Sequence, residues 1–176
     1  MAGNKIIRST KDIALIAIMT TILFVQEQLL INLPNIQLTV FLMVLYSKKF
    51  GLGKSVIIII LYTLLDNLYM GSFSIMYTPA MLVGWLLIPL TLCTLFKKVN
   101  NSIVLALLGV LYSFIYCWLY VVPNYLIMNI DPVAYIIADI VFEVVLAVCS
   151  FVTILLLYKP CSKIIDLMLQ IDIEDN

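Results

Sequence analysis

Residues 41–60 read FLMVLYSKKFGLGKSVIIII, in which a short turn with three lysines and two glycines separates two apolar runs. Apolar runs flanked by lysines are typical of membrane helices whose connecting turn lies in the cytoplasm. The letters GKS also end a phosphate-binding loop, but that motif needs a glycine five positions before Gly53, where this chain has Lys48. The stretch therefore predicts two membrane helices and a cytoplasmic turn, and it excludes a nucleotide site.

The whole chain has the composition of an integral membrane protein. Of its 176 residues, 64% are hydrophobic and only 11% are charged, far from the balance of a soluble domain. Ten acidic and ten basic residues give a formal net charge of zero, so total charge favours neither an anionic nor a cationic partner. We predict the lipid bilayer as a partner and no nucleic acid.

Six apolar runs predict six transmembrane helices in one all-α membrane domain that covers residues 1–176. The second run is short, which is compatible with a tilted or only partial crossing. We expect Thr78 to cap the fourth span, with Pro79 in its first turn, and Pro160 to end the sixth. The predicted spans are residues 12–33, 36–47, 54–71, 79–96, 102–123 and 132–158, between an N-terminal segment 1–11 and a tail 159–176.

All basic residues lie at alternate ends of these spans. Because Lys and Arg collect in cytoplasmic loops, this alternation predicts an even number of spans in the cell membrane, with both termini cytoplasmic. Loops 32–36, 71–78 and 123–132 then face outward. The bases are Lys5, Arg8, Lys11, Lys48, Lys49, Lys54, Lys97, Lys98, Lys159 and Lys163.

Cysteine and histidine usage predicts neither a metal site nor a cofactor. The chain has no histidine, and its four cysteines show no metal-ligand spacing. No evident pair of nucleophile and base suggests catalysis, so we predict that the chain is not an enzyme and has no catalytic residues. The cysteines are expected to pack as small apolar side chains.

Four carboxylates lie inside predicted spans: Glu27 in the first, Asp66 in the third, and Asp139 and Glu143 in the sixth. Charge inside a bilayer is costly, so each is a candidate functional residue. The topology places the bases on the opposite side, so these acids are expected to be hydrated, protonated, hydrogen-bonded or paired with an external group. For Asp66, a structural hydrogen bond to a neighbouring helix and a ligand contact are equally good interpretations.

Polar and aromatic residues accompany these acids. Two spans carry such residues at four-residue spacing, which places each set on one helix face. The two stripes are Tyr135, Asp139 and Glu143 in the sixth span, and Tyr112, Tyr116, Tyr120 and Asn124 in the fifth. Aromatic rings beside carboxylates suit a cationic or heteroaromatic ligand, although tyrosines also anchor helices at interfaces or pack them together. The predicted substrate-binding residues are Glu27, Asn32, Asn35, Gln37, Trp85, Tyr116, Tyr120, Asn124, Tyr135, Asp139 and Glu143.

The first span also carries small residues on one face. Ala14, Ala17 and Thr21 are spaced so that another helix can approach closely. We predict that this face packs against a helix of this chain or of a partner.

The chain length, the predicted topology and the run LPNIQLTVFLMVLYSKKFGLGKSVIIIILYTLLDNLYMG at residues 33–71 resemble the substrate-binding S components of energy-coupling factor (ECF) vitamin transporters. The resemblance implies that a small-residue face of the first span docks on a transmembrane scaffold subunit, itself bound to two ABC ATPases. The family's A-x-x-x-A face is matched here only by Ala17 and Thr21. The resemblance also implies a vitamin site near the outer surface, with residues 32–37 in its lid and spans 4 to 6 in its wall.

The layout of residues 33–71 is also similar to MreD, a small membrane scaffold of the cell-elongation machinery. A scaffold needs no acids in its sixth span, so Asp139 and Glu143 favour transport over this alternative. We therefore expect capture of a small water-soluble vitamin or related metabolite at the outer face, for ATP-driven uptake by partner subunits. Because no base lies in the outer half, a cationic, amine-bearing or neutral heterocyclic ligand is favoured.

Overall fold

A computed structural model describes residues 9–174, with side chains over residues 9–168, and this part of the chain is helical with no strand. Lys5 and Arg8, two of the predicted cytoplasmic bases, lie outside the described residues. The helices are α1 (Thr10–Leu30), α2 (Thr39–Tyr69), α3 (Tyr77–Cys93), α4 (Ser102–Leu119), α5 (Val121–Met128) and α6 (Pro132–Glu174).

Several helices have the length and composition to cross a membrane, which agrees with the predicted all-α membrane protein. Within the described residues there are four such segments: Thr10–Leu30, Thr39–Tyr69, Ser102–Met128 and Pro132–Met168. The helix Tyr77–Cys93 is also apolar but shorter. Many large apolar side chains, such as Leu29, Leu107 and Val141, are exposed on the outer faces of the bundle, where lipid would cover them.

The helix α2 is bent at Gly51, so the predicted second and third spans form two arms of one element. Gly51 has φ 74° and ψ 178°, a conformation that is almost restricted to glycine. The first arm is buried on all sides, because residues 39–47 are all buried. The short apolar run is therefore a central helix of the bundle, and it begins at Thr39 instead of residue 36.

A buried side chain of α1 fixes the start of this central helix. The Gln26 carbonyl oxygen accepts a hydrogen bond from the Leu38 backbone N–H at 2.8 Å, and its amide nitrogen donates to Thr39 Oγ1 at 2.8 Å. Leu38 provides no side-chain cap of its own, so Gln26 satisfies a donor that the helix N-terminus leaves free.

Two predicted helix ends are wrong. Pro160 does not end the last helix, since α6 continues through it to Glu174. Proline removes one backbone hydrogen bond, but the segment beyond it is held to α2 by the ion pair between Lys49 and Asp166 at 2.7 Å. The predicted outer loop 123–132 is partly helical, because α4 ends at Leu119 and the short α5 follows.

Thr78 also has a different role from the predicted one. α3 begins at Tyr77 with Met76 as its N-cap residue, and Thr78 lies in the first turn. The Thr78 hydroxyl donates to Asn67 Oδ1 at 2.9 Å, so it joins α3 to α2 instead of capping α3. Pro79 remains in the first turn, where a missing N–H is tolerated.

Candidate functional site

Hydrogen bonds and ion pairs distinguish two ends of the bundle. At one end, which we call the lysine end, Lys54 pairs with Asp12 at 2.5 Å and Lys48 donates to the Phe96 carbonyl oxygen at 2.7 Å. At the other end, which we call the acid end, Gln28 meets Asp66 and Tyr77 meets Asn124. Among the described residues, Lys48 and Lys54 therefore lie at the opposite end of the bundle from Asp66.

The acid end contains a cavity of about 310 Å³ between α1, α2, α3 and α4. Two carboxylates and three tyrosines face this space, and no basic side chain among the described residues lines it. The lining residues are Glu27, Asp66, Asn67, Ser72, Tyr77, Met81, Tyr116 and Tyr120. A concave site with a few convergent polar groups and aromatic walls is typical of small-molecule binding.

Glu27 is positioned by a buried tyrosine of the neighbouring helix. The Tyr62 hydroxyl donates a hydrogen bond to Glu27 Oε2, and the Tyr62 side chain is completely buried. The other carboxylate oxygen, Oε1, has no hydrogen-bond partner among the described residues, and Glu27 itself is half-buried. One oxygen is thus fixed by the protein while the other remains free for a ligand or water.

Asp66 lies one helical turn beyond Tyr62, on the same face of α2. Its Oδ1 accepts a hydrogen bond from the Gln28 side-chain amide at 3.2 Å, and only 8% of the residue is exposed. The adjacent Asn67 is fully engaged in structure, because its amide donates to the Thr63 carbonyl and its oxygen accepts from Thr78. Asp66 therefore combines both interpretations, a hydrogen bond between helices and a place in the cavity lining.

Aromatic rings form one wall of the cavity. The lining ring of Tyr116 stacks on the buried Trp85 ring, which is outside the lining of both cavities, with centroids 3.7 Å apart and 17° between their planes. The Tyr116 and Tyr120 hydroxyls hydrogen-bond to each other at 2.9 Å. The Trp85 indole N–H is buried and has no hydrogen-bond partner among the described residues.

Gly84 permits this close stacking. A Cβ atom at position 84 would lie 2.8 Å from Tyr116 Cδ2 and 3.3 Å from Leu119 Cδ1. Such distances are shorter than ordinary contacts, so any larger residue would displace the ring. The glycine is a requirement of helix approach, since α3 and α4 meet at this point.

The loop between α1 and α2 adds a second cavity of about 200 Å³ that shares Glu27 and Tyr116 with the first. Asn35 has a left-handed φ of 58°, and its side-chain amide donates to the Phe142 carbonyl oxygen of α6 at 2.9 Å. The loop thus extends from α1 to α6 at the acid end. Of the predicted loop residues, Asn35 and Gln37 line this cavity, whereas Asn32 is exposed and outside the lining.

The two acids of α6 lie apart from both cavities. Glu143 is completely buried; its Oε2 accepts a hydrogen bond from the Trp118 indole N–H at 3.2 Å, and its Oε1 has no partner among the described residues. Asp139, one turn earlier, is half-buried, and its carboxylate has no hydrogen bond within the described part of the chain. Tyr135 is half-buried and outside the lining of both cavities. Of the predicted substrate-binding acids, Glu27 therefore lines both cavities at the acid end, whereas Asp139 and Glu143 line neither.

Asn124 lies at the rim of the first cavity. Its Oδ1 accepts from the Tyr77 hydroxyl at 2.9 Å, and its amide donates to the Tyr120 carbonyl at 2.8 Å. It contacts two lining tyrosines without lining the cavity itself.

None of the four intramembrane acids forms a salt bridge with a described residue, and no three His, Cys, Asp or Glu side chains in residues 9–168 are grouped to hold a metal ion.

The three residues predicted to contact a partner lie together on the surface. Ala14, Ala17 and Thr21 are exposed, whereas Ile16, Thr20 and Leu23 face the core of the bundle. The Thr21 hydroxyl donates to the Ala17 carbonyl at 2.8 Å, so its polarity is satisfied within α1. The face therefore presents small side chains whose one hydroxyl is already bonded, which suits close helix packing.

Sequence reasoning missed Tyr62, Tyr77 and Met81 as site residues. The spacing that identified the tyrosine stripes would have found them, because Tyr62 and Asp66 are four residues apart, as are Tyr77, Met81 and Trp85. No protein-family model, curated protein or solved structure matches the chain significantly.

Proposed function

We propose that this chain is the substrate-binding membrane subunit of an ECF-type importer, which captures a small water-soluble vitamin or related metabolite. The observation that carries the proposal is the cavity at the acid end, where Glu27 and Asp66 face three tyrosines and no described base lines the space. A membrane scaffold has no need of such a cavity, whereas a solute-binding subunit requires one.

The proposed ligand is cationic, amine-bearing or a neutral heterocycle. Glu27 and Asp66 accept hydrogen bonds only from neutral donors among the described residues, Tyr62 and Gln28. A ligand amine would supply a charge-assisted hydrogen bond to the free Glu27 oxygen, and aromatic rings attract cations and stack with heterocycles. The cavity at the lysine end is larger, but its lining is basic and does not suit a cationic or amine-bearing ligand.

The proposed topology has six spans with both termini cytoplasmic and the acid end outside the cell. The contacts that alternate along the chain support it: Asp12 and Lys54 lie at the lysine end, Gln28 and Asp66 at the acid end, and Cys93 meets Ser47 again at the lysine end. Lysines mark cytoplasmic ends, and the bend at Gly51 turns the chain back into the bundle.

The proposed partners are a transmembrane scaffold subunit and two ABC ATPases, which would drive release of the ligand inside. The exposed face of Ala14, Ala17 and Thr21 is the proposed contact with the scaffold subunit. Small residues let helix backbones approach closely in lipid, where hydrophobic burial contributes little.

Thermal unfolding of the purified full chain with a panel of vitamins and their precursors tests the ligand proposal. A true ligand should raise the midpoint of unfolding in the wild type, and the increase should be much smaller in Glu27→Gln. Glu143→Gln serves as the matched variant, because it removes a buried carboxylate outside both cavities. If no compound stabilises the wild type, or if both variants respond like it, the acidic cavity is not the binding site.

A further inference from the structure

A cavity of about 680 Å³ lies at the lysine end, far along the helices from the proposed vitamin site. Its volume falls within the roughly 300–1,000 Å³ of small-ligand sites. The lining residues are Lys48, Lys49, Asn100, Tyr158, Lys159, Pro160, Ser162 and Lys163. Nothing in the proposed capture of a cationic or neutral solute uses this cavity.

Four lysines line this cavity, and some of them have no ion-pair partner among the described residues. Lys49 is neutralised by Asp166 at 2.7 Å, and the Lys48 ammonium is directed at the carbonyl oxygen of Phe96. Lys159 and Lys163 have no hydrogen bond or ion pair with any described residue. They lie four positions apart on α6, so both project from one helix face into the same space.

The position of the cavity along α6 matches the depth of lipid headgroups. The apolar part of α6 gives way to Lys159 and Pro160 at this point, so the cavity begins where the hydrocarbon region would end. Leu156 and Leu157, one turn earlier, are exposed at 64% and 37%. Acyl chains would lie against these leucines while a headgroup occupied the cavity, as basic pockets between membrane helices bind anionic lipids.

We propose that this cavity binds the phosphate group of an anionic phospholipid, with Lys159 and Lys163 as its charged contacts and Ser162 and Asn100 as neutral donors. Free inorganic phosphate presents the same chemistry but gains nothing from the exposed leucines, so the lipid is the favoured source. This inference does not depend on the identity of the imported solute.

Native mass spectrometry of the purified full chain tests the proposal, with phosphatidylglycerol and phosphatidylcholine added in equal amounts. The wild type should retain phosphatidylglycerol preferentially. The double variant Lys159→Gln/Lys163→Gln should lose that retention by roughly 10- to 30-fold, because each lysine contributes on its own to anionic-lipid binding. The matched control is Lys97→Gln/Lys98→Gln, which removes the same charge at the same end but outside the lining, and it should retain the lipid.

Four results would overturn the proposal. Equal retention of the two lipids by the wild type would show no anion preference, and an equal loss in both double variants would show diffuse attraction. Complete displacement of phosphatidylglycerol by millimolar inorganic phosphate would make the site one for free phosphate. If the lining variant kept its lipid but lost a copurifying protein, the cavity would be a protein contact. Lipid-free thermal unfolding should be similar in all variants, since the substituted lysines are exposed.

Discussion

At the residue scale, the site depends on the pair of Glu27 and Tyr62. The sequence predicted Glu27, because a carboxylate inside an apolar span is costly and needs a reason. It could not predict Tyr62 as the partner, since the contact joins α1 to the second arm of α2 and depends on which helices are neighbours. The sequence also could not decide between a structural and a ligand role for Asp66, because its hydrogen bond from Gln28 likewise depends on which helices are neighbours.

Replacing Glu27 should weaken binding of a cationic ligand without unfolding the protein. Glu27→Gln keeps a carbonyl oxygen for Tyr62 but removes the charge that would meet a ligand amine. We expect affinity to fall roughly 10- to 100-fold, as for a lost charge-assisted hydrogen bond. Isothermal titration of the purified variant measures this loss, and unchanged affinity would place the ligand elsewhere.

Gly84→Ala should disturb the aromatic wall. The added Cβ would lie 2.8 Å from Tyr116 Cδ2, so the ring must move away from Trp85, and we expect about 1–3 kcal/mol of destabilisation together with weaker ligand binding. Gly109→Ala is the control, because its Cβ would meet the flexible end of Ile154 between α4 and α6. Unfolding measurements and ligand titration of both variants should show weaker binding only for Gly84→Ala. Equal ligand affinity of the two variants would show that the aromatic wall does not contribute to binding.

At the scale of the elements, apolar runs and lysines located the helices well, and their ends poorly. Every predicted span overlaps a helix of the structure, because burial in lipid or core demands long apolar segments. Pro160 misled the prediction, since local sequence does not reveal the contact of Lys49 with Asp166 that holds the helix beyond it. The sequence predicted Gly51 as part of a turn, but it did not predict that a single residue bends α2 tightly between its two arms.

Because of the bend at Gly51, alanine substitution should change the stability of the protein in opposite directions at Gly51 and at Gly53. Gly51→Ala should destabilise the protein by about 1–3 kcal/mol, because alanine cannot adopt φ 74° and ψ 178° without strain. Gly53→Ala lies in the helical part of α2 and should be neutral or stabilising by up to about 1 kcal/mol. Unfolding by SDS titration compares the two, and equal stability of both variants would contradict a glycine-specific bend.

At the scale of the whole molecule, the proposed sidedness can be tested in cells. After the four natural cysteines are replaced by serine, Asn129→Cys should react with a membrane-impermeant thiol reagent added outside, because it follows α5 at the acid end. Lys98→Cys should react only after the membrane is permeabilised, since it lies at the lysine end. Labelling of Lys98→Cys in intact cells would invert the topology and place the proposed vitamin site inside.

Copurification in gentle detergent tests the proposed role of this chain as the solute-capturing subunit of an ATPase-driven importer. We expect mass spectrometry of the purified complex to identify a membrane scaffold subunit and ABC ATPases. Ala17→Leu should abolish the recovery of these partners, because the larger side chain fills the small-residue face. Ile18→Leu is the control: Ile18 is also exposed but is not one of the three residues of that face, so this variant should still recover them. Recovery of cell-elongation proteins instead, with no ATPase, would rule out the importer subunit and favour the membrane scaffold.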